Sequence, residues 1–228
     1  MEKSLSNITF LKDLDQQAIQ DWEARCKWQE FAPNDQIIDR NSDSEDVYFI
    51  IRGTARVLNY SISGREISFD DIQAGSIFGE LSALDGQPRS ANVIAISTTE
   101  VASLSPHAFK ELLSAHPSVA LHLMQRLSSV IRTSVERIMD LSTLGANNRV
   151  YAEILRLARN GRISGIESRI DPVPNHSDIA SRVSTTRETV ARVFSELSKK
   201  GLISKVKNTL VVQNLDYLQE MVEEFKGE

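Results

Sequence analysis

Two short strings in this chain of 228 residues carry side chains whose types and spacing could do chemistry. The first, residues 78–93, reads Phe-Gly-Glu-Leu-Ser-Ala-Leu-Asp-Gly-Gln-Pro-Arg-Ser-Ala-Asn-Val. Gly79 allows close backbone approach, and the Glu80 carboxylate can hold sugar hydroxyls. Leu81 and the helix formers after it can turn N-terminal amides toward an anion, and Arg89 stands beside Ser90. These parts suit a small ligand with a ribose and a phosphate. A bare Gly-Glu or Arg-Ser would read as an ordinary surface loop; the full order between two predicted strands is far more specific. The second string, residues 186–192, reads Thr-Arg-Glu-Thr-Val-Ala-Arg and puts Arg187, Glu188 and Arg192 on one side of the first turns of a helix. Arginine can bond guanine O6 and N7 together, and a carboxylate can accept from cytosine N4. In isolation such charges form only a solvated helix face.

What the chain lacks narrows the chemistry. Cys26 is the single cysteine, one short of a two-cysteine metal knuckle, and excludes four-cysteine iron–sulfur ligation by one chain. The four histidines, His107, His116, His122 and His176, form no set with a serine or cysteine nucleophile. His116 and His122 flank the start of a predicted helix on expected surface positions. The first string could bind phosphate but offers neither a nucleophile nor a metal. We therefore expect no enzyme, no metal site and no prosthetic group. No apolar run approaches the ~20 residues that span a bilayer, and the first ten residues lack a charged-then-apolar signal pattern, so a cytoplasmic protein without membrane contact is expected. With 41% hydrophobic and 25% charged residues the composition is that of a globular protein, long enough for two cores. The net charge of −5 would argue against nucleic acid, but it averages over domains. Residues 171–212 hold seven basic against four acidic side chains, a net charge of +3.

The elements that must position the two strings follow from periodicity. A helical pattern over residues 13–26 precedes short β-rich runs at 36–39, 47–52, 54–60, 66–70, 77–78, 91–97 and 101–104, broken by turns about every ten residues, as in an antiparallel sandwich or barrel. Helical texture returns at 106–115. From Pro117 to about Leu144, the residues Ala120, Met124, Leu127, Ile131, Ser134, Ile138 and Leu141 step by four and three, the seam of a two-stranded coiled coil. We expect one long helix paired with its own copy, closed by a left-handed cap at Gly145. Ser134 breaks the apolar rule of the seam, as a tolerated hydroxyl or a register device. An amphipathic helix over 147–158 follows, then a loop or small hairpin to residue 175. Two short helices around a tight turn at Ser184 and Thr185 come next. Two final strands and a helical tail from Leu215 complete the pattern, so residues 177–212 read as a helix-turn-helix with a two-stranded wing.

The string at 78–93 resembles the phosphate-binding cassette of cyclic-nucleotide-binding domains. Thr-Thr-Arg-Glu-Thr-Val-Ala-Arg-Val-Phe-Ser-Glu-Leu at 185–197 resembles the recognition helix of the cyclic-AMP receptor protein and fumarate–nitrate regulator family of bacterial transcription factors. The resemblance covers nearly the whole chain in one order. It implies an α+β fold with a cyclic-nucleotide-binding β-roll at residues 1–116, a dimerisation helix at 117–144 and a winged helix-turn-helix DNA-binding domain at 145–228. It implies that Glu80 bonds the ribose, that Arg89 pairs with the cyclic phosphate, and that Gly79, Leu81 and Ser90 complete the anion site. Val57 and Phe69 would pack base and sugar, and Ser134, or Thr133 beside it, would touch the base. Val130 and Val135 replace polar residues of the family's adenine contact, which leaves cAMP and cGMP both open, with cAMP favoured. By the same resemblance Arg187, Glu188 and Arg192 would read TGTGA-like half-sites, while Ser184, Thr186, Thr189 and Lys205 would contact phosphates. The implied partners are double-stranded DNA, the cyclic nucleotide as allosteric ligand, a second copy of the chain and RNA polymerase. The alternatives are the same fold sensing haem, redox state or another small molecule, and a nucleotide-sensing module that binds protein instead of DNA.

Overall fold

The computed structural model describes residues 4–226, and the chain divides into two compact units between Val130 and Ile131. In the first unit α1 (Gln16–Glu23) is followed by β1 (Lys27–Phe31), β2 (Gln36–Ile38), β3 (Val47–Arg52), β4 (Thr54–Tyr60), β5 (Glu66–Gln73) and β6 (Ile77–Phe78). Then come α2 (Glu80–Asp85), β7 (Asn92–Ala95), β8 (Thr99–Leu104) and α3 (Pro106–Ala115). The strands form two four-stranded antiparallel sheets, ordered β1-β8-β3-β6 and β2-β7-β4-β5. Strand β3 shows why. Its run Val-Tyr-Phe-Ile is buried on both faces, so alternate side chains feed two cores. Tyr48 and Ile50 pack between the sheets with Ala55, Ile72, Phe78, Val93 and Val101. Val47 and Phe49 point the other way, against Trp22, Phe109, Leu112, Val119 and Leu123 of the helices. At Gly53, with φ +91°, a Cβ would lie 2.4 Å from the Thr98 carbonyl oxygen, so the β3–β4 turn admits only glycine without rearrangement.

Strand β1 is absent from the sequence pattern. Its burial alternates weakly, with only Trp28 and Phe31 half-buried, and it exists through its ladder with β8 rather than through its own apolar period. The histidines expected at the surface are instead engaged by neighbours. His116 accepts the Trp22 indole N–H at 3.2 Å, and His122 lies 3.2 Å from Asp13 and 3.3 Å from the Phe10 carbonyl.

The helix α4 spans Pro117–Thr143 as one element, and the division of the chain falls inside it. Gly145 does not cap it in the left-handed region. Its φ of −65° and ψ of 160° are extended, and it is the N-cap of the next helix, α5 (Ala146–Arg159), so the chain turns from one helix into the other within two residues.

In the second unit α5 is followed by β9 (Arg162–Ser164), β10 (Glu167–Ile170), α6 (His176–Arg182), α7 (Arg187–Lys199), β11 (Ile203–Val206), β12 (Thr209–Val212) and α8 (Leu215–Lys226). Val150, Ile154 and Ala158 of α5 share a core with Ile179, Val190, Val193, Leu197, Leu210 and Leu218. The expected wing is larger than two strands: β9 and β10 extend it into a sheet ordered β11-β12-β10-β9. Gly201, at φ +70°, follows the last turn of α7 and lets the chain reverse into β11.

A charged cluster is buried inside this unit. Glu153, 1% exposed, lies 3.5 Å from Arg137 and 3.3 Å from Arg182 and bonds Arg156 closely. Arg156 also donates to Asp140 at 2.8 Å. Arg149 donates to three backbone carbonyls, those of Leu144, Val183 and Ser184, at 3.0, 2.8 and 3.1 Å. The cluster thus joins the end of α4 to α5 and α6.

Candidate functional site

The first string folds as expected from its composition: β6, a left-handed residue, one short helix and an extended return. Gly79 is the N-cap of α2 with φ +78°, and a Cβ there would lie 2.9 Å from Arg89 Nη1. A side chain at 79 would displace the arginine. Arg89 itself is 4% exposed. Its Nη1 donates to the Gly79 carbonyl at 2.8 Å, and its Nη2 donates to the Asp46 carbonyl at 2.7 Å and the Ser44 hydroxyl at 3.1 Å. The guanidinium carbon lies 6.0 Å from the centre of the Tyr48 ring, which stacks on Phe78 at 5.1 Å.

A guanidinium carries five N–H donors. Three bonds of Arg89 go to these neutral oxygens, and its buried Nε has no hydrogen-bond partner among the described residues. Burial pulls the Arg89 pKa below its ordinary value, against the pull of Tyr48, Asp46, Glu45 and Glu80. Glu80, one residue from Gly79 at the start of α2, is shifted the other way: burial raises its carboxyl, while its own backbone amide, Arg126 and Arg89 hold it down. The site therefore holds a cation and a carboxyl that both lack full compensation for burial, an arrangement that an anionic, hydroxyl-bearing ligand can satisfy.

The remaining expected ligand residues lie on several elements of both units. Val57 on β4 is half-buried beside the core between the sheets. Phe69, 41% exposed, is the extra residue of a bulge in β5, since Val57 pairs with Asp70 and Leu58 with Ser68. Leu81 is exposed on the first turn of α2. The Ser90 side chain is exposed and its carbonyl accepts from Asn59 at 3.1 Å. Thr133 and Ser134 belong to the second unit's share of α4, Thr133 half-buried and Ser134 exposed. Asp46 and Ser44, on the loop before β3, were not among the residues expected. Their one available signal was a polar run, residues 39–46, directly ahead of a strand whose first four residues are buried.

On the DNA side, Thr186 caps α7, its hydroxyl accepting from the Thr189 amide at 3.3 Å. Glu188 sits in the first turn with its carboxyl held below the usual range by its own backbone amide and the Thr186 hydroxyl, with Arg187 adding to the effect. Such a carboxylate is partly committed to its own helix N-terminus. Arg187, Arg192 and Lys205 are exposed, and Arg192 donates to Asn147 at 3.1 Å. Ser184, at φ +51°, forms the turn between α6 and α7 and is tied by Arg149. Arg187 and Lys205 both act on His176, whose pKa is lowered first by burial and then by these two cations. That coupling places positive charge from α7 and from the wing on one side of α6.

Comparison with known proteins agrees with this arrangement of parts. A family model described as cyclic nucleotide-binding domain matches residues 28–116, and one described as Crp-like helix-turn-helix domain matches residues 148–221. The chain is 30% identical over 175 residues to the cyclic AMP receptor protein of Thermus thermophilus, covering 77% of this chain and 78% of that protein. It is 26% identical over 190 residues to a cAMP-activated global transcriptional regulator of Pasteurella multocida, covering 83% and 91%. Among solved structures, a mutant of CooA from Carboxydothermus hydrogenoformans superposes with a TM-score of 0.81 over 95% of both chains at 19% identity.

Proposed function

The chain belongs to the cyclic AMP receptor protein and fumarate–nitrate regulator family of DNA-binding transcription regulators, and on that premise we propose that it is a homodimeric regulator switched by a cyclic nucleotide, cAMP before cGMP. The observation that carries the ligand reading is Arg89: a buried cation whose hydrogen-bond acceptors are all neutral and whose Nε has none among the described residues. A cyclic phosphate supplies the missing negative charge, and Glu80 in its carboxylate form accepts the ribose hydroxyl. Gly79, Leu81 and Ser90 border the phosphate, Val57 and Phe69 flank base and sugar, and Thr133 or Ser134 meets the base from the dimer helix.

The exposed row Met124, Ile131, Ile138 and Leu141 on α4 supports pairing with a second copy, since this apolar stripe has the a/d spacing of a two-stranded seam. In such a dimer the nucleotide makes contacts in one arrangement of the α4 pair that it cannot make in another, and it shifts the population accordingly. The preferred arrangement would set two copies of α7 about one DNA turn apart, ~34 Å, for an inverted repeat of TGTGA-like half-sites. Arg187, Glu188 and Arg192 read bases; Ser184, Thr186, Thr189 and Lys205 hold phosphates. The segment around Ile163–Asp171, which includes the β9–β10 turn, would offer a surface to RNA polymerase.

The test is DNA-binding anisotropy on a TGTGA inverted repeat at one fixed salt concentration, without nucleotide, with cAMP and with cGMP. Tight binding only with cAMP supports the full reading; equal binding with both nucleotides removes the preference for cAMP. Binding that ignores both leaves a DNA regulator with another signal. In the same assay Arg187→Ala should weaken specific binding by roughly 1–3 kcal/mol and relax selection at one guanine, whereas equal loss on random DNA would move Arg187 to phosphate contact.

A further inference from the structure

The loop between β2 and β3, residues 39–46, reads Asp-Arg-Asn-Ser-Asp-Ser-Glu-Asp, a polar string with no obvious link to a ligand. In the fold it closes over Arg89. Two of the three acceptors of the guanidinium are the backbone carbonyls of Gly79 and Asp46, which any residue type would supply. The third is the Ser44 hydroxyl, and it shares Nη2 with the Asp46 carbonyl. Ser44 is itself braced, its Oγ lying 3.3 Å from the Ser42 Oγ, which donates to the Asp39 carbonyl at 2.8 Å. A guanidinium is planar, and fixing both terminal nitrogens fixes the direction of its Nε N–H. With the Tyr48 ring 6.0 Å away and a glycine required at 79, the plane of Arg89 is determined from every side except the one its Nε serves.

We propose that Ser44 is a positioning residue for anion recognition: by accepting from Nη2 it holds the Arg89 plane in the orientation that presents Nε to the ligand's phosphate. This rests on the nucleotide reading of the site. Ser44 is exposed, so its truncation opens no core cavity and the folded protein remains available for measurement. A hydroxyl is required at this position, but not serine itself, so Ser44→Thr should replace it where Ser44→Ala cannot.

The experiment is calorimetric titration of the wild type, Ser44→Ala and Ser44→Thr with cAMP, alongside nitrogen-15 NMR of the Arg89 side chain in the ligand-free proteins. Ser44→Ala should bind cAMP about five- to tenfold more weakly, the effect of one hydrogen bond to a charged group, and Ser44→Thr should recover to within about twofold of the wild type. In the NMR spectra the wild type should show hindered rotation of the guanidinium, released in Ser44→Ala and restored in Ser44→Thr. Unchanged cAMP affinity in Ser44→Ala overturns the inference and leaves the nucleotide reading intact. So does weaker binding with an unaltered Arg89 signal, which would make Ser44 merely structural. A wild type that binds neither cAMP nor cGMP overturns the nucleotide reading itself, and the role assigned to Ser44 with it.

Discussion

Arg89 in the first unit and Arg156 in the second are both arginines taken largely out of water, and they are treated in opposite ways. Arg89 faces three neutral oxygens and no hydrogen-bonded carboxylate, and burial drags its pKa down. Arg156 suffers the same burial, yet Glu153 and Asp140 outweigh it and its pKa rises. Removing a charge from water costs several kcal/mol unless an opposite charge with good geometry offsets it. The second unit supplies that offset from within, through Glu153 among Arg137, Arg156 and Arg182. In the first unit the carboxylates near Arg89 act without a hydrogen bond to it and burial outweighs them, which is the basis of the proposal that Arg89 takes a phosphate.

The sharpest way to break this contrast is at Glu153. Glu153→Gln leaves three arginines around a neutral group and should destabilise the protein by about 3–5 kcal/mol in chemical denaturation. A loss under about 1 kcal/mol would mean that the cluster is not held by charge. Arg89→Gln should act on the other axis, weakening cAMP binding by about 1.5–3 kcal/mol in calorimetry while the denaturation midpoint moves far less than in Glu153→Gln. If the stability loss matched that of Glu153→Gln, the two arginines would be equivalent after all. Thr186→Ala, which removes the N-cap of α7 and touches neither arginine, should cost about 1 kcal/mol of stability and serves as the scale for an ordinary local effect.

The smallest effect concerns Glu80 and shows in its pH dependence. Its folded pKa is raised, so ligand-free protein binds that proton more tightly than the unfolded chain does, and stability falls as pH rises from the unfolded carboxylate range, about 4.3, through the folded value. Glu80→Gln should therefore stabilise the ligand-free protein at neutral pH and lose that advantage below about pH 4, while binding cAMP more weakly. An advantage that persisted unchanged at acid pH would point to packing rather than ionisation.

The sheets were legible because β3 opens on a continuous apolar run, β7 alternates in burial, and glycines mark the turns between strands. Strand β1 was not, because Lys27, Gln29 and Glu30 give it no apolar period and its ladder with β8 joins residues more than 65 positions away. The chemistry of Gly79, Glu80 and Arg89 could be read from one contiguous string; the loop that orients Arg89 lies more than 40 positions earlier, and hydrogen bonds to backbone carbonyls leave no trace in residue type. The Glu153 cluster did leave one. Glu153 sits one position from Ile154 on the buried side of α5, a carboxylate where the helix period calls for an apolar residue. At Gly145 a glycine after a helix suggested a left-handed stop, but the immediate start of α5 required an extended N-cap there instead.

The partners of Glu153 and Arg156 reach back across Gly145 to Arg137 and Asp140, so the last turns of α4 belong electrostatically to the DNA-reading unit. This bears on how such regulators can be recombined. A chimera that grafts a foreign sensor onto this chain at Gly145 discards Glu136, Arg137 and Asp140, three charges of α4 that pair with Arg156 or Glu153. A junction near Val130, where the chain divides, transplants the whole cluster intact. The exchangeable cassette is thus the winged domain together with the end of the helix before it.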